Sequence, residues 1–176
     1  MTAIVAIKHA GIVYMGGDSA GTTDVAARVR VDPKVHKVGS TLIGYSGSFR
    51  SGQLLAHALA FPARPAKMSV EKFMVTLVAD AVRTCLQTGF QDKTETVGPQ
   101  LLIGYQGRIF NLYEDYQIEE IVEGYNAIGS GADIAIGVLY ATAGSKKTPV
   151  ERIECALQAA EKFCNSVRGP FKIIHS

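Results

Sequence analysis

The order of strand-like and helix-like segments predicts an α+β fold, a four-layer α-β-β-α sandwich of two stacked sheets with a helix pair covering each outer side. Three observations carry this. First, apolar residues fall in short strand-like segments between residues 3 and 46. They then turn helical beyond Phe49, return to strands near 101–113 and 125–128, and become helical again from 132. Segregated runs of this kind argue against the strict β–α alternation of a parallel doubly wound sheet. Second, hydrophobic residues make up 47% of the chain and charged residues 19%, enough apolar surface for extensive burial. Third, Leu42-Ile43-Gly44-Tyr45-Ser46-Gly47 is echoed by Leu102-Ile103-Gly104-Tyr105-Gln106-Gly107, which reads as a mark of two related sheets. At 176 residues without a linker or low-complexity tract, one domain over 1–176 is expected.

The elements follow in order. Residues 3–7 and 12–15 form a hairpin around Ala10-Gly11, and Gly16-Gly17 mark a close backbone approach before Asp18. Residues 21–26 read as a polar loop. Residues 28–31 and 35–38 read as short strands around the Asp32-Pro33 turn, and 41–46 as another strand. A short helix ends near Pro62, and a long amphipathic one runs from an Ser69 N-cap toward Gly89. Strands at 101–105 and 108–113 flank a Gln106-Gly107 turn, and 125–128 makes one more. Helices follow at 132–141 and 149–167, the second capped by Thr148 with Pro149 at its first position, and 171–174 reads as an edge strand.

Composition excludes several function classes. The net charge is +2 and no basic or aromatic-basic cluster stands out, so no nucleic-acid partner is expected. Cys85, Cys155 and Cys164 form no paired motif and read as core thiols of a reducing, cytoplasmic compartment. The start lacks the plan of a signal peptide, and the apolar stretch 134–143 is too short to span a bilayer, so no membrane association is expected. His9, His36 and His57 lack ligand spacing, and neither a metal nor a cofactor is expected.

Candidates for four chemical roles stand out, with two lysines competing for one of them. Threonine is small enough for the initiator methionine to be trimmed ahead of it, so Thr2 can present an α-amine, with a pKa near ~8, beside its own hydroxyl. Asp18, in GGDSAG, is returned by the hairpin toward residue 2. A lysine held by that carboxylate would favour an alkoxide; Lys34 and Lys37 both qualify by position. Gly47 ends a strand where a backbone N–H can approach a carbonyl oxygen. Each alone has an ordinary structural explanation.

Together, TAIVAIKHAGIVYMGGDSAG, DPKVHKV and LIGYSGS resemble the N-terminal block of the proteasome β-subunits and of the bacterial HslV peptidase, members of the N-terminal nucleophile hydrolases. The resemblance implies Thr2 as nucleophile, Lys34 rather than Lys37 as catalytic lysine, Asp18 as its partner and Gly47 as oxyanion donor. It continues at 127–131, where Ser130 matches a serine that contacts the terminal amine. It implies a threonine endopeptidase acting on peptides or unfolded proteins, conditional on loss of Met1. It also implies a ring homo-oligomer, with stacking of the rings as a further expectation, and an ATP-dependent unfoldase as partner. Tyr45, Ser46, Asp32 and His36 are the candidates to face the pocket for the residue before the cut. Near the end of the last helix many proteasome subunits carry Asp and then Ser-Gly; Asn165 and Arg168 align there instead. No long propeptide is expected ahead of Thr2, which would be another HslV-like feature.

Three rival readings remain. The chain could be a catalytically inactive ring or scaffold subunit. Gly17-Asp18-Ser19 could open a GDS-type esterase with Ser19 as nucleophile and His175 as base, although no acid lies close before His175. Residues 129–134 begin like a dinucleotide loop but lack the third glycine and a βαβ setting.

Overall fold

The computed structural model describes residues 2–22, 26–89 and 99–176, with Ala27 described in its backbone alone. Met1 and the middle of the expected 21–26 loop lie outside the described residues. In chain order the first strands are β1 (Ile4–His9), β2 (Ile12–Gly17), β3 (Ala20–Thr22), β4 (Ala27–Val29), β5 (Val35–Val38) and β6 (Thr41–Ser46). Helices α1 (Phe49–His57), α2 (Val70–Phe73) and α3 (Ala79–Gly89) follow, the last two joined by a π-helical turn at Met74–Val78. Then come β7 (Gln100–Tyr105), β8 (Arg108–Leu112), β9 (Ile118–Glu120), β10 (Tyr125–Ile128), α4 (Ala132–Ala141), α5 (Pro149–Phe163) and β11 (Lys172–His175).

These strands make two main antiparallel sheets, in the orders β10-β1-β2-β11 and β5-β6-β7-β8-β9, beside a small β3-β4 ribbon. Successive strand residues point to opposite faces, and each sheet buries both. Ala3, just before β1, and Val5 and Ile7 within it pack against Leu139 of α4 and against Ile153 and Leu157 of α5. Ile4 and Ala6 face the other way and meet Leu42, Leu102 and Ile109 of the second sheet. The second sheet's outer face, with Ile43, Leu101, Ile103 and Phe110, is covered by Leu54, Phe73, Val78 and Val82 of the α1–α3 layer. The four-layer α-β-β-α sandwich expected from the sequence is thus the architecture observed.

Local signals explain most boundaries. Ala10 and Gly11 both adopt positive φ, matching the type I′ turn that suits the twist of a two-residue hairpin. The Ser69 hydroxyl accepts from the Lys72 backbone N–H at 3.3 Å, and Thr148 and Glu151 form a full capping box. Gly16 is a close approach: a Cβ there would lie 2.4 Å from Ile153 Cγ2, so glycine lets α5 settle on β2.

Several expectations change. The LIGY echo does not mark two sheets. Its copies lie on the neighbouring strands β6 and β7 of one sheet, with Leu42 opposite Gly104 and Gly44 opposite Leu102. Each places its glycine on the inter-sheet face, where a side chain would collide with Ile4 or Val13 of the facing sheet. The last helix ends at Phe163 rather than 167, because Cys164 turns extended (φ −121°, ψ 114°). Residues 21–22, expected in a loop, pair in β3, and the 28–31 strand is shifted to Ala27–Val29. Strand β9 was not foreseen, since Glu119 and Glu120 at a sheet edge hide a strand's apolar period.

Candidate active site

The β1–β2 hairpin sets the site's register. Ile4 lies opposite Gly17, so the next residue on each strand places Asp18 beside Ala3. Their backbones bond directly, the Asp18 N–H donating to the Ala3 carbonyl at 3.2 Å. The Asp18 side chain then turns back: Oδ1 accepts from the Ala3 N–H at 3.0 Å, and Oδ2 from the Ala20 N–H at 2.8 Å. Asp18 is 1% exposed, and these donors offset the cost of burying its charge.

Lys34 supplies the counter-ion. Its Nζ donates to Asp18 Oδ1 at 2.9 Å, and the whole residue is 1% exposed. One carboxylate oxygen therefore ties the ammonium to the amide next to Thr2. Lys34 precedes β5, and its carbonyl accepts from the Tyr45 N–H at 3.1 Å, which fixes the lysine's backbone to β6. Burial pushes the Lys34 pKa down, more than the neighbouring Asp18 carboxylate raises it. Lys37, its rival by sequence, is exposed and reaches the His175 carbonyl instead.

Thr2 is 2% exposed. Its nitrogen donates to Ser130 Oγ at 3.2 Å, and its carbonyl accepts from the Gly131 N–H at 3.1 Å. Gly129 allows this approach: it has φ +91°, and a Cβ there would lie 2.4 Å from the Thr2 oxygen. Behind Ser130 stands a residue that sequence reasoning missed. The buried Ser166 hydroxyl lies 2.8 Å from Ser130 Oγ, and Cys164 Sγ lies 3.1 Å from Ser166 Oγ. The expected Asn165 is exposed, and Arg168 meets the site through its backbone, its N–H 3.5 Å from Asp18 Oδ2. The reason is the early end of α5: the extended Cys164 sends 166, not 165, inward. No periodic pattern announces such a residue.

Cys164 is thereby not a core thiol on a helix face, and all three cysteines are only partly buried. Burial raises the Cys164 pKa, but hydrogen bonds from Ser166 and Ser130 outweigh it and leave the thiol below its ordinary value.

Gly47 follows β6 with φ +119°, a region that favours glycine, beside Pro99. Tyr45 and Ser46 do not share a pocket wall, since adjacent strand residues face opposite ways. Tyr45 is buried under α1, where a Cβ on Gly52 would meet its ring. Ser46 Oγ instead points to the inter-sheet side, 3.0 Å from the position of a Gly129 Cβ. Burial raises the Tyr45 pKa to about 12, so its hydroxyl stays protonated. The Tyr45 ring stacks on His36 with centroids 6.1 Å apart. The buried His36 Nε2 has no hydrogen-bond partner among the described residues, and burial pushes the imidazole toward its neutral form. Asp32 is held by Arg30 through two hydrogen bonds, of 2.9 and 2.6 Å.

The esterase reading fails on geometry. Ser19 Oγ donates to the Pro170 carbonyl at 2.6 Å. His175 is exposed and lies opposite Tyr14, three residues along β11 from the Lys172–Gly17 pair and thus roughly 10 Å from the Asp18 end. The 129–134 segment is likewise no dinucleotide loop, because it follows a strand of an antiparallel sheet. Among the described residues no helix is long and apolar enough to cross a membrane.

Comparison with known proteins bears on the fold. A search of curated proteins found no match. Among solved structures, Thiobacillus denitrificans BPH in complex with epoxomicin superposes with a TM-score of 0.84 at 19% identity, covering 99% of this chain and 98% of that one. Eukaryotic HslV from Trypanosoma brucei gives 0.71 at 14% identity, covering 99% and 98%. Anbu, the ancestral β-subunit, from Yersinia bercovieri gives 0.72 at 14% identity, covering 99% and 81%. At these identities the likeness concerns the fold. The family described as "Proteasome subunit" matches residues 2–168, nearly the whole chain, and the protein belongs to the proteasome subunit family, with the fold of its N-terminal nucleophile hydrolases.

Proposed function

We propose that the protein is an N-terminal threonine peptidase that hydrolyses peptide bonds once Met1 is removed. The observation that carries this reading is the Asp18 carboxylate, which bridges the Ala3 amide and the buried Lys34 ammonium beside Thr2. Thr2 Oγ attacks a peptide carbonyl, and its proton passes to the Thr2 α-amine. Lys34 stabilises the negative charge that develops on Oγ, and the Gly47 N–H receives the oxyanion. The amine then gives the proton to the leaving nitrogen as the C–N bond breaks, leaving an acyl ester on Thr2. Water hydrolyses that ester and restores the hydroxyl. Ser130, backed by Ser166, orients the amine. His36, stacked on Tyr45, contributes to the pocket for the residue before the cut, with Tyr45 as its floor rather than its wall.

Membership of the family supports assembly with further copies into a ring, and we further propose that such rings stack around the sites. Peptides and unfolded proteins are the substrates, and an ATP-dependent unfoldase delivers the latter in the cytoplasm.

The pH dependence tests the chemistry. The amine must be neutral to accept a proton, so kcat/KM rises with pH through the amine's pKa near ~8. Lys34 must be charged, so kcat/KM falls as pH rises through its pKa, which burial sets below the ordinary lysine value of about 10.4. A fluorogenic peptide assayed from pH 6 upward should give this bell. A single rise near pH ~6.5, the signature of a histidine base, would refute the assignment.

A further inference from the structure

The inter-sheet layer changes character toward one end. Its apolar filling of Ile4, Leu102, Ile109 and Ile128 gives way to polar side chains, and a cleft of 580 Å³ opens there. Gln100, Asn111, Glu119, Glu123, Gly129 and Asp133 contribute to its walls. The inner end adjoins the site: Gly129 abuts the Thr2 carbonyl and Ser46 Oγ, and Gln100 pairs with Ser46 across β6 and β7.

Two independent features give the cleft a chemistry. The first is charge. No lysine, arginine or histidine lines it among the described residues. The sequence from 109 to 145 contains six carboxylates and no basic residue at all. Arg108 answers Glu120, but Glu119, Glu123 and Asp133 are exposed on the cleft. The second is Asn111, which is 3% exposed and whose Oδ1 has no hydrogen-bond partner among the described residues. Its orientation follows from its neighbours. The Tyr113 hydroxyl donates to Glu119 at 2.5 Å, so toward Asn111 it can only accept. Asn111 must therefore turn its NH₂ to Tyr113, which leaves Oδ1 as an orphaned acceptor. Burying an acceptor unpaired is costly, and a bound donor removes the cost. Carboxylates and an amide oxygen together call for a cation rich in N–H donors.

We propose that this cleft is a subsite for a lysine or arginine side chain of the substrate peptide. The inference rests on the peptidase reading and names part of its specificity. Ser46 and Asn111 lie two strands and two residues apart, roughly 12 Å, and an extended peptide advances about 3.3 Å per residue. The basic residue therefore lies three or four positions from the scissile bond.

The test uses the assembled, processed protein and fluorogenic peptides identical except for lysine, norleucine or glutamate at each of four positions on either side of the bond. At one position lysine should raise kcat/KM at least tenfold over norleucine, mainly through KM. In Asn111→Leu, and in the double variant Glu123→Gln, Asp133→Asn, that ratio should fall below about twofold. The ratio is read within each variant, so a general loss of activity does not affect it. Should Asn111→Leu fail to assemble, the double variant at exposed positions carries the test. Absence of a lysine preference, or its persistence in the variants that assemble, overturns the subsite. If no peptide is cleaved, the peptidase reading fails instead. The subsite is then judged by binding of the lysine and norleucine peptides to the same assembly, and equal affinities overturn it.

Discussion

Replacing Thr2 with alanine should reduce peptide hydrolysis at least about 10³-fold, to the level left by binding and oxyanion contacts alone. The loss should appear in kcat, because the missing atom is the nucleophile and not a substrate-binding group. The fold should survive. The backbone contacts that seat residue 2, its N–H on Ser130 Oγ and the Gly131 N–H on its carbonyl, do not require the threonine side chain. Hydrolysis measured alongside the sedimentation of the assembly separates the two effects. Thr2→Ser, which keeps a hydroxyl, should retain much of the activity. Full activity in Thr2→Ala would remove Thr2 from the mechanism.

Asp18 has the second large effect, and there stability and catalysis are bound together. Its carboxylate serves Lys34 Nζ and the N–H groups of Ala3 and Ala20. Asp18→Ala leaves a buried ammonium without its counter-charge and removes an acceptor from two buried amides. Breaking a buried pair from one side costs about 3–5 kcal/mol. For a chain of this length that lowers Tm by roughly 6–20 °C. Lys34→Met should cost less stability, since Asp18 keeps both amide donors, yet it should remove most of the activity. Combining Lys34→Met with Asp18→Ala should recover part of the stability lost in Asp18→Ala, because no charge is left stranded. Activity should not recover. Calorimetry and peptide hydrolysis on the three variants make the comparison, and additive stability losses would contradict the coupling.

The sequence exposes what local rules determine. A two-residue turn fixes hairpin register, so the distance along the chain from Thr2 to Asp18 already places them together. Capping residues mark the starts of α2 and α5, and Gly47 and Gly129 sit where positive φ is required. What stayed hidden depends on tertiary placement. Ser166 turns inward only because α5 stops four residues earlier than its apolar period suggests. Tyr45 and Ser46 look equivalent as neighbours in a motif, yet the pleat sends one to the helix layer and the other between the sheets. The pairing of the two LIGY copies in a single sheet is a long-range register that a repeat cannot specify. Asn111 reads as one polar residue in a strand, and its orphaned oxygen appears only once Tyr113 and Glu119 are in place.

For Thr2 to bear both the nucleophile and its base, Met1 must be lost. Intact-mass measurement of the purified assembly, before and after exposure to a threonine-directed epoxyketone, addresses both conditions at once. The expected result is a chain lacking methionine that gains one adduct, and no adduct in Thr2→Ala. Retained methionine with no adduct would contradict it, and would leave a proteasome-type subunit serving as scaffold.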